Sequence, residues 1–329
     1  MPLDFHARRF LETQAAPLRG RYEDAEQRRA ALAELADLAD PPGQEAIGGA
    51  RDHLMPVHDG HVSLRVYSPL GQPARILPAI LFFHGGGWVA GSLETHDGLC
   101  RRLSNETGCR VIAVDYRLAP EHPFPYGLSD AIAALNHVTR NAGPFGVDLK
   151  RLGVAGEGAG ANLAAVLCRI ARDAGSEAIT FQLLLCPILN MEATTARDLD
   201  DVLIQQLATF KRDVEHYVPA GCNVADLRLS PLRAEEFRGL PPAFIHTAQY
   251  DPFSEDGEFY AHRLGGFGVP VHGRCHAGMI HSFYCLPRAI PYALEAIRII
   301  GTEIRYAVRL PPLPERRMVR RIRPELVQT

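Results

Sequence analysis

Four segments of this sequence carry groups suited to one kind of chemistry. Gly156-Glu157-Gly158-Ala159-Gly160 follows a short apolar run and precedes a helix-like one. A G-x-S-x-G pattern in that setting presents a serine on a sharp strand-to-helix turn, the nucleophile elbow. The central position here is Gly158, which has no hydroxyl. The turn would still direct the N–H of Ala159 toward the place a nucleophile would occupy. Upstream, His84-Gly85-Gly86-Gly87-Trp88 follows the apolar run 79–83. Consecutive glycines let the backbone turn its amides outward without obstruction by Cβ atoms, so the amides of this loop can serve a developing oxyanion. Downstream lie Asp251, in Tyr250-Asp251-Pro252, and His281, in 278–283. A carboxylate that fixes a histidine tautomer and stabilises its imidazolium is the acid–base half of a triad. The chain order elbow, Asp, His is the one such sites use. The pattern is that of acyl transfer, with glycine at the nucleophile position.

Competing readings of these segments are weaker. The run G-E-G-A-G lacks the G-x-G-x-x-G spacing of a dinucleotide-binding turn, and it sits mid-chain. The tip of an elbow is held in a strained backbone conformation that costs a non-glycine residue roughly 1–3 kcal/mol. Glycine there would relieve strain while removing the hydroxyl. Ser92, Ser230, Ser254 and Ser282 lie in neighbouring motifs, and none is on the elbow. His84, Trp88 and Glu157 flank the motifs and are expected to support the site. No ligand cluster or phosphate loop emerges, so neither a metal nor an organic cofactor is expected.

The elements that must position these residues are legible as alternating strands and helices. Short unalternating apolar runs at 79–83, 110–114, 152–155, 181–185 and 243–247 read as buried strands, with another near 269–275. Val62, Leu64 and Val66 alternate with polar residues, which marks a half-buried strand. Helix-length segments at 97–107, 126–140, 161–174, 254–267 and 292–307 separate or follow them, which indicates a parallel sheet covered on both faces. Residues 1–50 have helical spacing around Phe10 and Leu11 and again from Ala30 to Leu38, ended by Pro41-Pro42-Gly43. Residues 191–228 break the rhythm and read as a helical insertion. The resulting division is 1–50 N-terminal cap helices, 51–190 core, 191–228 cap insertion, 229–310 core and 311–329 tail. The tail carries Arg316, Arg317, Arg320, Arg321 and Arg323 against Glu315 and Glu325 and reads as a solvated segment.

Composition narrows the function classes. The 329 residues are 47% hydrophobic, enough for a sizeable core, and carry a formal net charge of -3. That balance gives no reason to expect nucleic acid or an anionic membrane as partner. Seven scattered cysteines without a CxxC pair argue against a disulfide framework or a zinc knuckle. Cys168 and Cys186 lie in apolar runs and read as core residues. The first residues have no apolar signal-peptide core, and no apolar run approaches a membrane span. A cytoplasmic setting is the expectation.

The segments HGGGW at 84–88, DYRLAPEHPFP at 115–125, GEGAGANLAA at 156–165, SPL at 230–232, LPPAFIHTAQYDPF at 240–253 and GMIHSF at 278–283 together resemble the hormone-sensitive-lipase-like branch of the α/β-hydrolases, the bacterial carboxylesterases. The resemblance runs from about residue 60 to 305. It implies an α/β-hydrolase fold, with a mostly parallel central sheet, helices on both faces and a helical cap. It also implies Asp251 and His281 as triad partners, and Gly86, Gly87 and Ala159 as oxyanion donors. The chain departs from the family at Gly158, where the family has serine. Three functions are open at this point. The first is an ester hydrolase scaffold without its nucleophile, holding a small apolar ester or carbonyl ligand. The second is a lyase, dehydratase or cyclase using His281–Asp251 as general base. The third is a non-catalytic small-ligand receptor. A homodimer is an expectation from the resemblance alone.

Overall fold

The computed structural model describes residues 1–15, 24–72, 76–192 and 201–313, apart from the side chains of 201–205. Most of the Arg-rich tail therefore lies outside the described residues. The strands are β1 (Gly49–Val57), β2 (Gly60–Ser68), β3 (Leu77–Phe83), β4 (Arg110–Val114), β5 (Val147–Glu157), β6 (Gln182–Leu185), β7 (Ala243–Tyr250) and β8 (Val271–Ile280). They form one sheet in the order β1-β2-β4-β3-β5-β6-β7-β8. β2 runs antiparallel to β1 and β4, and every pairing from β4 across to β8 is parallel. The continuous apolar runs explain this. β3 and β4 are buried at every residue, as strands covered on both faces must be.

The helices α1 (Phe5–Phe10) and α2 (Ala25–Ala39) precede the sheet. α3 (Asp97–Thr107), α4 (Tyr126–Arg140), α5 (Ala142–Phe145) and α6 (Ala159–Asp173) follow in the first half of the sheet. α7 (Asp201–Tyr217), α8 (Ser254–Gly266) and α9 (Tyr292–Ala307) follow in the second. Leu128 of α4, Leu163 and Val166 of α6 and Tyr260 of α8 pack on one face of the sheet in a single apolar cluster. Leu99 and Leu103 of α3 and Ile297 and Ile300 of α9 pack on the other. Cys168 and Cys186 are buried in these clusters.

The strand β1 has no counterpart in the sequence reading, which assigns no strand before Val62. Only Met55 is buried along β1, and Pro56 interrupts its donors. Such a strand is confined to a sheet edge and carries no apolar alternation to reveal it. α6 begins two residues before the expected 161, because the turn at Gly158 passes directly into helix.

Behind the sheet's β7–β8 edge runs a chain of side-chain bonds. His246 Nε2 lies 3.0 Å from Glu303 Oε2, and its Nδ1 lies 3.1 Å from His276 Nε2. His276 Nδ1 meets the Tyr292 hydroxyl at 3.1 Å. A Glu303 carboxylate can only accept, so His246 Nε2 is the donor in that bond. Burial, with help from neighbouring His246 and Arg274, lowers His276 to about 3. Burial likewise lowers His84 to about 3, with His96 adding to the effect. An unfolded histidine titrates near 6.5. Between those values the unfolded chain binds protons that the native protein refuses, so their contribution is intact above about pH 6.5 and is lost as pH falls toward 3. The melting temperature is expected to fall as pH drops from 7 to 5. In thermal melts, His276→Gln should show a shallower dependence over the same range.

Candidate active site

The parallel pairing of β3 and β5 aligns Phe83 with Gly156, so the loops that follow both strands emerge side by side at the carboxyl edge of the sheet. Contact there is extremely close. A Cβ on Gly160 would lie 2.0 Å from the Phe83 carbonyl oxygen, and one on Gly156 would lie 2.2 Å from the Gly160 carbonyl. Both positions therefore admit only glycine. Gly158 differs in kind. Its φ of +53° and ψ of -114° are the strained conformation of an elbow tip. A Cβ there would meet His281 alone, at 3.4 Å from Nε2 and 3.8 Å from Cε1. The turn is held by the bond from Gly158 N–H to the Leu185 carbonyl, 2.9 Å. Asn162 Nδ2 also donates to the Ile188 and Leu229 carbonyls.

His281 follows β8 and Asp251 follows β7. His281 Nδ1 lies 2.8 Å from Asp251 Oδ2. Asp251 Oδ1 accepts from the Phe253 amide at 2.9 Å. The ring of Phe253 stands edge-on to the imidazole at 5.5 Å. The Nε2 face points toward Gly158 and also toward a second carboxylate, with Glu157 Oε1 3.7 Å away. Glu157 is buried, accepts the Ser282 hydroxyl on Oε1, and has His96 Nε2 3.6 Å from Oε2. Burial works against its charged form, but His96, His281 and Ser282 outweigh it and hold the carboxyl below its ordinary value. Burial also works against an imidazolium at His281. The charges of Asp251 and Glu157 outweigh that too, and His281 is raised to about 9.

Gly86, Gly87 and Ala159 line the same cavity, Ala159 as a first-turn residue of α6. Their amides donate no hydrogen bond among the described residues, and amides so placed can receive an oxyanion. His84 and Trp88 do not reach the cavity. His84 stacks on Tyr116 at 4.3 Å, whose hydroxyl donates to the His84 carbonyl. Trp88 is buried in a stack with Tyr217 of α7 at 4.9 Å, which fastens the glycine loop to the insertion. Of the four candidate serines, Ser282 alone lines the cavity; Ser230 is buried and donates to the Val224 carbonyl. Cys186, Asp251 and His281 hold donor atoms within 4.8 Å of one another, the set best able to reach a metal among the described residues. The 2.8 Å bond between Asp251 and His281 already uses two of those three groups.

The cavity encloses about 250 Å³. Leu32 and Leu35 of α2, Phe210 of α7, Ile188 and Phe253 supply apolar walls. Over the glycine loop, Arg28 of α2 and Asp213 of α7 form an ion pair at 3.4 Å. A side chain on Gly87 would collide with Asp213. Burial pushes Asp213 up to about 6 despite Arg28. Sequence reasoning missed this pair, because its members are 185 residues apart and neither stands in a motif.

Residues 80–285 match the family described as alpha/beta hydrolase fold. The chain belongs to the carboxylesterase-type α/β-hydrolases. Among relatives of this α/β-hydrolase, carboxylesterase NlhH of Mycobacterium tuberculosis is 37% identical over 275 residues, covering 81% of this chain and 85% of its own. An arylesterase of Saccharolobus solfataricus is 33% identical over 293 residues, covering 88% and 94%. Among solved structures, an ester hydrolase from the Lake Arreo metagenome, complexed with a bipyridine phosphonate derivative, superposes with a TM-score of 0.82 at 37% identity, over 92% of this chain and 98% of its own. An esterase of Pyrobaculum calidifontis does so at 0.82 and 35%, over 94% and 100%. The branch expected from the motifs and the α/β-hydrolase fold are thus established. No helix of the described residues is long and apolar enough to cross a membrane.

The elbow geometry separates two substitutions in this α/β-hydrolase. Gly158→Ala has open space but a strained φ, and is expected to cost about 1–3 kcal/mol. Gly160→Ala must displace the backbone at Phe83 and is expected to cost more than Gly158→Ala. Urea unfolding of both variants measures the difference, and equal costs would contradict it.

Proposed function

We propose that this chain is an ester hydrolase scaffold whose nucleophile position is glycine. It binds small apolar esters and cleaves them very weakly. On this reading Asp251 orients His281, and the amides of Gly86, Gly87 and Ala159 take the carbonyl oxygen. α2 and α7 act as the cap over the acyl pocket. His84, Trp88 and Glu157 hold the loops in place. The observation that carries the reading is the space above Gly158. A side chain there would point at His281 Nε2 from 3.4 Å and, apart from its chain neighbours, meet only the His281 ring within 4 Å among the described residues. A serine hydroxyl would therefore fall within reach of the imidazole that must deprotonate it. The unbonded amides and the apolar cavity of about 250 Å³ support the same reading.

Removing the nucleophile of such a site costs about six orders of magnitude in turnover. Gly158→Ser is therefore expected to raise kcat on p-nitrophenyl acetate and butyrate by roughly four to six orders of magnitude. Gly158→Ala, which supplies the Cβ without the hydroxyl, should give no gain. An inactive Gly158→Ser protein that folds normally would sink the reading.

A further inference from the structure

We propose that a water molecule seated above Gly158 takes the nucleophile's place, so that this protein cleaves esters in one displacement without an acyl-enzyme. The proposal rests on the ester-binding reading given above and adds the reaction route. The place is defined by the chain itself. An added Cβ at Gly158 would have His281 Nε2 3.4 Å beyond it, so with glycine the space between the elbow backbone and the imidazole is open to a small molecule within hydrogen-bonding reach of Nε2. A held water needs two or more polar partners. His281 Nε2 is one, and Glu157 Oε1, 3.7 Å from Nε2, is the carboxylate oxygen we assign as the second. Asp251 accepts a hydrogen bond from Nδ1–H of the neutral ring, which leaves the Nε2 lone pair facing the water. The amides of Gly87 and Ala159 line the same cavity for the carbonyl oxygen.

The step balances with no further reactant. The water oxygen forms a bond to the ester carbonyl carbon as its proton passes to His281 Nε2. The carbonyl electron pair moves to the oxygen held by the amides. When that intermediate collapses, the bond from carbon to the alkoxy oxygen breaks, and the Nε2 proton goes to the departing alkoxide. Acid and alcohol leave, and the ring is neutral again. Nothing becomes attached to the protein.

The groups facing His281 set the pH dependence. Asp251 after β7 and Glu157 at the end of β5 favour the imidazolium, while burial and the more distant Arg28 of α2 oppose it. Cys186 at the end of β6 stays a thiol because burial pushes it far up. With His281 raised to about 9, the ring that can accept a proton is a small fraction at pH 7 and about half at pH 9. The base-dependent rate should thus rise about fifty-fold over those two pH units. Ser282 offers a competing route, because its hydroxyl already donates to the Glu157 carboxylate beside the cavity.

The test uses the purified full chain with p-nitrophenyl butyrate after treatment with an alkyl p-nitrophenyl phosphonate, which silences any serine-dependent esterase. Expected is hydrolysis roughly 10³–10⁴-fold above the uncatalysed rate. It should survive the phosphonate, show no burst and leave no acyl mass on the intact protein. It should rise from pH 7 to 9, and His281→Ala should lose that rise and be slower at pH 9. Ser282→Ala should retain it, and Glu157→Gln should move the alkaline rise to lower pH. An acyl or phosphonyl adduct at Ser282, or no phosphonate-resistant rate above that of His281→Ala, would overturn the proposal. If Gly158→Ser hydrolyses the ester and the unmodified chain does not, the water route fails and the scaffold reading stands. If neither does, both fail.

Discussion

The contact on which the site depends is the meeting of two backbones at the carboxyl edge of the sheet. β3 and β5 are neighbours, and the α6 turn folds back so tightly that the carbonyls of Phe83 and His84 press on Gly160. Because both loops leave paired strands at the same level, Gly86, Gly87 and Ala159 line one small volume. The rest of the site is fitted to that volume. β7 and β8 bring Asp251 and His281 from the other side, 30 residues apart in sequence and 2.8 Å apart in space. Had the elbow needed a side chain at 156 or 160, the two loops could not approach. Glycine at 158 answers a different demand. It satisfies the elbow's positive φ, and the space around it would admit a side chain.

Electrostatics divides the cavity into two regions. Around His281 the two carboxylates of Asp251 and Glu157 outweigh the cost of burial and stabilise positive charge on the ring. Around the glycine loop the Arg28–Asp213 pair is buried against apolar helix surface, and Asp213 is shifted toward its neutral form. Buried pairs of this kind contribute little net stability, since desolvation offsets most of the attraction. What the pair does is join α2 to α7 across the loop, while the Trp88–Tyr217 stack joins the loop itself to α7. The helices that cover the cavity are thereby tied to the loop that would receive a substrate carbonyl.

The parts of this arrangement visible in sequence are those governed by local rules. A continuous apolar run such as 79–83 can only be a doubly covered strand, and the helices at 97–107, 126–140 and 292–307 have those bounds in the structure. The motifs that supply Gly86, Gly158, Asp251 and His281 do so through turns whose chemistry is written in a few adjacent residues. β1 escaped because an exposed edge strand needs no apolar alternation. The Arg28–Asp213 pair, the contact of Ser282 with Glu157 and the His246–His276–Glu303 chain escaped because they join distant residues whose types are ordinary on helices, strands and loops alike. Only the fold brings them within bonding distance.

The second carboxylate on His281 gives Gly158 its chemical meaning. In an elbow that carries serine, the hydroxyl would stand between the imidazole and the cavity and would engage Nε2. With glycine, the nearest polar group on that side is Glu157 Oε1, too far at 3.7 Å for a direct hydrogen bond and near enough to attract a charged ring. The residue beside the missing hydroxyl therefore shifts the histidine toward its protonated form. The scaffold retains the means to polarise a carbonyl and to move a proton. On the water route proposed above, a tethered nucleophile, always at hand but requiring a covalent intermediate, gives way to one that arrives from solution, with a base free to act mainly at alkaline pH.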